Sequence, residues 1–320
     1  MKKTAVAPSN IAFTKYWGKK DEKLRIPENG SISMNLSNLL TTTTVEFLDE
    51  YKKDEIHLPG EIDRVIKHLD RIRKIAGIHQ KAKVVSENNF PTGTGLSSSA
   101  SGFAALTVAA SFAASLQLSE KELSILARQG SGSACRSIPN GFVEWFDGNT
   151  SETSYAIQIF KEDYYDIADV VVVASSQKKD VSTSVGQKTA ESSPFMAVRL
   201  SRMKKKNEDL KKLIQKRDFE SFGELVEQEA LELHAIMLTQ KPPLIYFKPE
   251  TIVVIKAVEK WRIQGIPVYW TLNTGQDVHL ICQGKDKEKV ATLARTLSVT
   301  KDVIINLPSS GAHLVKEHLF

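Results

Sequence analysis

Hydrophobic and polar positions along this 320-residue chain follow two regimes. In the first half, short runs such as "TTTTVEFL" (Thr41 to Leu48) and "KAKVVSENNF" (Lys81 to Phe90) mix β-branched and polar residues, the pattern of half-buried strands. The small-residue stretch "SSSASGFAALTVAASFAASL" (Ser97 to Leu116) predicts a buried helix. In "SEKELSILARQGS", Ser119 and Glu122 stand at capping-box spacing, so another helix starts there, with Gly130 as its stop.

Near Asp166 the pattern changes. "DIADVVVVASS" is a continuous apolar strand entering a polar loop, after which helical spacing dominates from Ser192 to Gln215, Phe219 to Met237 and Lys248 to Gly265. "YWTLNTGQDVHLI" (Tyr269 to Ile281) then reads as strand, glycine turn and strand, with Asn273 and Asp277 at the turn. "DKEKVATLARTL" predicts a helix and "DVIINL" a closing strand. The chain is thus expected to be α+β in two parts, residues 1–165 and 166–320. No GxGxxG follows an early strand, so a dinucleotide-binding array is not expected.

Composition narrows the class without naming a ligand. Hydrophobic residues make up 41% and charged residues 25%, ordinary globular values that set aside disordered and fibrous architectures. The net charge of +5 suits anionic small molecules and does not demand nucleic acid. The basic run "RLSRMKKKNEDLKKLIQKRD" (Arg199 to Asp218) interleaves acids and apolar residues at helical spacing, which predicts a solvated helix face. Cys135 and Cys282 form no CxxC or Cys/His metal pattern, which fits a reducing cytoplasm. No apolar run approaches the roughly 20 residues needed to span a bilayer, and "MKKTAVAPSN" lacks a signal-peptide core, so no membrane partner is expected.

Three stretches carry candidate chemistry. In "NNFPTGTGLSSSASGFAAL", Gly93 and Gly95 permit backbone conformations closed to other residues, and Ser hydroxyls crowd a helix mouth. Free N–H groups and the helix dipole make such a mouth an anion site. No Gly-Lys-Ser/Thr closes it as a Walker A loop, and the local pattern also suits a Ser-capped buried helix. In "RQGSGSACRS", Ser131, Ser133 and Arg136 flank glycines; Arg136 can fork onto a carboxylate or phosphate, or simply belong to a polar loop. In the N-terminal block, Lys15 and Lys19 surround Tyr16, Trp17 and Gly18, where the alternative is an edge strand with snorkelling lysines.

Together, "NIAFTKYWGKKDEKLRIPENGSIS", "VSENNFPTGTGLSSSASGFAAL", "ARQGSGSACRSIPNGFVEW" and "QKKDVSTSVGQK" resemble the signature blocks of the mevalonate diphosphate decarboxylase family, part of the GHMP kinase superfamily. The resemblance runs over nearly the whole chain in the same order. The Lys-Tyr-Trp-Gly-Lys and Gly-Ser-Gly-Ser-Ala-Cys-Arg blocks separate these decarboxylases from their kinase relatives. The resemblance implies an N-terminal domain like ribosomal protein S5 domain 2, a ferredoxin-like C-terminal domain and a cleft site between them. It also implies ATP and Mg2+ as cofactors, a homodimer, and phosphorylation of a 3-hydroxyl followed by loss of that phosphate and CO2 to give isopentenyl diphosphate.

By the same resemblance, Pro91, Gly93, Thr94, Gly95, Leu96, Ser97, Ser98, Ser99 and Ser101 would wrap the ATP phosphates, with Ser98 and Ser99 nearest the transferring group. Tyr16, Trp17, Gly18, Lys19 and Arg64, with the hydroxyl loop Ser182, Thr183 and Ser184, would meet the substrate diphosphate. Ser131, Gly132, Ser133, Ala134, Cys135 and Arg136 would hold the substrate, Arg136 pairing with the carboxylate to be lost. Lys15, Ser99, Arg136 and Asn273 form the implied catalytic set. His234 is read as a core histidine.

One departure stands out. The family's Asp-Ala-Gly-Pro-Asn turn here reads Asn273-Thr274-Gly275-Gln276-Asp277, so the aspartate that partners the 3-hydroxyl falls on Asn273. An amide orients a hydroxyl but has no useful basicity. Either the base is dispensable or replaced by phosphate oxygens or Asp277, or the enzyme acts on mevalonate or its monophosphate, or stops as a 3-kinase. A homologue that only binds ligands is the third alternative.

Overall fold

The strand Lys2–Ala12 runs antiparallel to the 18-residue strand Ser31–Leu48, with Lys2 opposite Glu46 and Ala12 opposite Ser33. The computed structural model describes residues 1–90, 95–174 and 181–320. Ser31–Leu48 is long enough to serve three partners, pairing also with Lys81–Asn88 along its second half and with Phe142–Trp145 at its start. Glu55–His57, Ala156–Phe160 and His313–Val315 complete a seven-stranded sheet. Lys2–Ala12 is therefore an interior strand; Lys15 to Gly18 lie beyond its end in no strand, and Lys19 opens the separate hairpin Lys19–Asp21 and Ile26–Pro27.

Helix Ser98–Ala113 is apolar nearly all round because it is buried all round. Its alanines let it sit close to the sheet, where Ala104, Ala105 and Ala109 pack with Val45, Val84, Leu69 and Leu126. It ends three residues short of the predicted Leu116, where Ser115 turns left-handed at φ 60°. The predicted capping box forms as read: Ser119 and Glu122 bond reciprocally at the start of helix Glu120–Gly130.

The second sheet orders its strands Val268–Thr271, Val278–Gln283, Ile167–Val173 and Asp302–Asn306, all antiparallel. Every residue of Ile167–Val173 is buried, which explains its near-continuous apolar run; the exception, Asp169, is paired with His279 Nδ1 at 2.9 Å. Val170 and Val172 pack with Val254, Val258, Trp270 and Val290, whereas Val171 and Val173 face a core shared with Phe13, Met34 and Phe222. That shared core brings the two sheets into contact.

The basic run forms helix Met196–Lys216, but its faces differ. Arg202, Lys204 and Lys205 are exposed as predicted. Arg199 is only 3% exposed. It bonds Glu229, the Lys15 carbonyl at 2.6 Å and Asn29 Oδ1 at 3.2 Å, while Lys206 pairs with Glu229 and Glu232 at 2.5 Å. The inner face is thus a buried ion network, not a solvated one; helix Phe219–Thr239 supplies its acids.

Candidate active site

Two turns from different halves of the chain meet at glycine. A Cβ on Gly95, whose φ is +123°, would lie 2.8 Å from Gly275 Cα, so a larger residue would push the turns apart. Their contact sets Ser97 against Asn273, whose Nδ2 donates to Ser97 Oγ at 2.9 Å. Ser97 takes a left-handed backbone (φ 59°) and makes no side-chain cap to helix Ser98–Ala113. The helix mouth consequently presents unclaimed backbone donors to a cavity of about 460 Å³, lined there by Gly95, Ser97, Ser98 and Ser99. Ser131, which donates to Ser99 Oγ at 3.3 Å, continues the wall.

The Asn273 amide has one arrangement consistent with its neighbours. Its Oδ1 accepts from Ala12 N and Lys15 Nζ, both at 3.4 Å, while its Nδ2 also donates to the Asn10 carbonyl at 3.3 Å. Lys15 is 2% exposed. Burial pushes its pKa down from 10.5 to about 7, opposed by the negative Glu229 and reinforced by the positive Arg136. Glu229, fully buried, accepts from the Lys15 backbone N–H at 3.0 Å and so ties the ion network to this lysine.

Two polar residues near that turn do other work. Asp277 is buried, accepts from Ala174 N at 3.1 Å and is not among the described residues lining the cavity, so the structure does not favour the alternative in which it replaces the base. His234 stacks on Phe247 at 4.2 Å, and burial pushes its pKa down to about 3 despite a bond to the Asn273 backbone. It is a neutral core histidine, in line with its sequence reading.

Arg136 is the most demanding group in the cavity. It is 3% exposed, donates to Ser31 Oγ at 2.7 Å and Asn10 Oδ1 at 3.1 Å, and lies 5.8 and 5.7 Å from the rings of Tyr16 and Trp145. Among the described residues no carboxylate pairs with it. Burial lowers its pKa, the signature of a cation held out of water without a counter-ion. Tyr16 packs edge-on against Trp145 at 4.7 Å. A Cβ on Gly132 would come within 2.7 Å of the Tyr16 hydroxyl, so the glycine leaves room for the ring. Arg64 donates to the Gly130 carbonyl at 3.0 Å, stacks on Phe103 at 4.9 Å and lies 3.7 Å from the exposed Glu61.

The cavity therefore collects Lys15, Tyr16, Arg64, Ser131, Gly132, Ser133, Arg136 and Asn273 from the predicted residues, along with the helix mouth. Ser182, Thr183 and Ser184 close it from the other half, Thr183 Oγ1 standing 2.5 Å from Thr274 Oγ1. Other predicted residues lie behind the wall. Trp17 is fully buried with its indole donating to Gln240, Gly18 turns the chain at φ +84°, and Lys19 pairs with Glu22 at 3.0 Å. Leu96, Ala134 and Cys135 are core; burial pushes the Cys135 thiol up to about 12, away from reactivity. The Ser101 hydroxyl accepts from Thr41 at 2.6 Å beneath the helix. Pro91, Gly93 and Thr94 lie outside the described residues.

Sequence reasoning missed Arg25 and Gln187 in the lining and the partners Asn10, Ser31 and Glu229 around it. Asn10, Ser31 and Arg25 all lie within the quoted N-terminal block, so their polarity beside apolar neighbours was the available signal. Among the described residues no cluster of three or more His, Cys, Asp or Glu could hold a metal ion, and no helix is long and apolar enough to cross a membrane.

Residues 7–156 match the family model described as the diphosphomevalonate decarboxylase-like N-terminal domain, and residues 169–313 match the mevalonate 5-diphosphate decarboxylase C-terminal domain. The chain belongs to the diphosphomevalonate decarboxylase family. The diphosphomevalonate decarboxylase of Candida albicans is 36% identical over 313 residues, covering 91% of this chain and 86% of that protein. Among solved structures, mevalonate diphosphate decarboxylase from Staphylococcus aureus superposes with a TM-score of 0.93 at 36% identity, covering 98% of each chain. A structure of MDDEF in complex with MVAPP, AMPPCP and magnesium superposes at 0.92 with 35% identity, covering 99% of each chain. The two-domain α+β GHMP kinase fold implied by the resemblance is the fold of this diphosphomevalonate decarboxylase family member.

Proposed function

We infer that this protein catalyses the ATP-dependent decarboxylation of mevalonate 5-diphosphate to isopentenyl diphosphate by way of 3-phosphorylation, a step of isoprenoid biosynthesis by the mevalonate pathway. The observation that carries the reading is Arg136, a buried cation with no acidic partner among the described residues, in the same cavity as an uncapped helix mouth. Such a pair asks for an anionic substrate beside a nucleotide phosphate.

On this reading the helix mouth at Ser97 to Ser99 cradles the ATP phosphates, and the Lys15 ammonium neutralises charge at the reacting hydroxyl. Arg136 pairs with the carboxylate until CO2 leaves. Phosphoryl transfer needs mainly positioning and charge neutralisation, which suits a site rich in cations and poor in bases. The lining fits Mg2+ carried on the nucleotide: Mg2+ commonly keeps waters and phosphate oxygens as ligands, and the Ser98 hydroxyl at the helix mouth supplies a further oxygen. The ion when bound supplies charge neutralisation at the transferred phosphoryl group.

Asn273 orients the 3-hydroxyl by hydrogen bonding while a phosphate oxygen takes the proton, since a loose transition state requires its removal only late. A positioned base is commonly worth about 10²- to 10⁴-fold, roughly 3 to 5 kcal/mol, so turnover slower than a carboxylate-bearing site is expected. The same amide favours one second reading, a 3-kinase that releases no CO2. The test offers mevalonate, its monophosphate and its diphosphate with Mg-ATP and measures ADP and CO2 separately. Equal yields with the diphosphate support the decarboxylase, ADP without CO2 selects the 3-kinase, and no ADP with any of the three overturns both.

Domains spanning 1–165 and 166–320, a cytoplasmic location and a homodimer belong to the same proposal. Two buried free cysteines support the location. Exposed Phe195, Val198, Leu231 and Leu238, on or beside two neighbouring helices, offer apolar surface to a partner copy.

A further inference from the structure

Arg25 stands in the turn of the small hairpin formed by Lys19–Asp21 and Ile26–Pro27. The register of that hairpin slips between Lys19 and Asp21, and Arg25 takes a left-handed backbone at φ 54°. Glycine or asparagine is the residue such a turn prefers, so a long cationic side chain sits here against the local backbone preference. The hairpin is held firmly. Asp21 Oδ1 accepts from Leu24 N at 2.6 Å, and the buried Arg128 donates to the Leu24 carbonyl at 3.0 Å. Position 25 is thereby fixed at the rim of the cavity that Arg25 lines together with Tyr16, Arg64 and Gln187.

The groups that feel its charge are mostly cations. Burial is the main cause that lowers the pKa of Lys19, Arg64, Arg71 and His68, and the Arg25 charge lowers each further; at Tyr16 the same charge opposes the burial that raises its pKa. Among the described residues it has no carboxylate partner. Glu22 is engaged by Lys19, Asp21 caps the turn, and the exposed Glu61 lies beside Arg64. Of these cations Arg64 lines the cavity with Arg25, and two like charges facing one cavity, one of them on a strained turn, are costly without an anion between them.

Resting on the reading under Proposed function, we propose that Arg25 is a further substrate-binding residue, gripping the distal phosphate of the diphosphate and setting the preference for a diphosphate over a monophosphate. Lys19, expected from the sequence to face that group, is turned toward Glu22, and Arg25 supplies the cation in its stead. A guanidinium also suits the task better than an ammonium, since its fork matches two phosphate oxygens at once.

The test compares wild type with Arg25→Gly and Arg25→Gln. Glycine accepts the left-handed backbone, so Arg25→Gly should melt at or above the wild-type temperature, separating binding from folding. Both variants should raise KM for mevalonate 5-diphosphate by about 10- to 100-fold, the range for losing hydrogen bonds to a charged group. KM for the monophosphate and for ATP should stay within about threefold of wild type by the same measure. Calorimetric titration with inorganic pyrophosphate, at saturating ADP to fill the nucleotide site, should show the same weakening independently of turnover. Unchanged pyrophosphate affinity in both variants, or a KM for ATP that rises in step with that for substrate, would overturn the proposal. If wild type turned over no mevalonate 5-diphosphate yet lost pyrophosphate binding on Arg25→Gly, the functional reading would fall while the anion role of Arg25 stood.

Discussion

Lys15 Nζ lies 3.4 Å from Asn273 Oδ1, so a buried ammonium faces a neutral amide at the turn where the resembled decarboxylases carry a carboxylate. Among the described residues no carboxylate pairs directly with the ammonium, and Glu229 acts on it only through its nearby charge. That makes the charge of Lys15 sensitive to pH near neutrality, where its pKa of about 7 lies.

If the ammonium is the working form, kcat/KM falls as pH rises through about 7, since this parameter reports the free enzyme. Asn273→Asp places a carboxylate against the lysine and raises its pKa, so the descending limb moves to higher pH and decarboxylation at neutral pH is preserved or raised. Profiles of kcat/KM for both enzymes check this, and loss of the reaction on Asn273→Asp would mean a site tuned to the amide. Stability follows the same titration. The folded pKa of about 7 lies below the ordinary 10.5, so the unfolded chain binds more protons between these values and the Lys15 contribution to stability rises with pH across that window. Lys15→Met should flatten that part of the stability profile.

Arg136 pits activity against stability. Its burial without an acidic partner disfavours the fold, whereas the bound carboxylate would repay that burial. Arg136→Gln, which can still bond Ser31 and Asn10, should melt at or above the wild-type temperature. It should also lose about 100-fold or more in kcat/KM. Thermal melts and steady-state rates on the same preparation decide it.

Glu229 supports the site from behind. Glu229→Gln leaves Arg199 buried without its carboxylate and should destabilise by about 3–5 kcal/mol, read from the urea midpoint. It also removes the charge that raises the Lys15 pKa, so the descending limb of kcat/KM should shift to lower pH. A purely structural role would leave that limb in place.

What could be read in advance depended on how local its cause was. The buried helix Ser98–Ala113, the Ser119 capping box and the apolar strand Ile167–Val173 each have signals contained within a few residues. The cavity's Lys15, Ser97 to Ser99, Arg136 and Asn273 lie in recognisable blocks and do meet. Arg199 escaped because its burial requires Glu229 on the next helix, which no helical periodicity within the basic run reveals. Asp277 misled through nearness in sequence: four residues beyond Asn273 and across a turn, its carboxylate serves the Ala174 backbone instead. Arg25 was hidden by turn geometry, since the aim of a side chain at a left-handed position is not written in residue type.

The strand His313–Val315 joins the first sheet beside Lys2–Ala12, and residues after it fasten there too, with His318 Nδ1 2.7 Å from Thr4 Oγ1 and Leu319 N bonded to Thr44. Residues far apart in sequence therefore close one sheet edge: without 313–319, the side of Lys2–Ala12 not paired with Ser31–Leu48 would stand open. Removing residues 311–320 would uncover the edge of the strand whose end, at Ala12, leads the chain to Lys15.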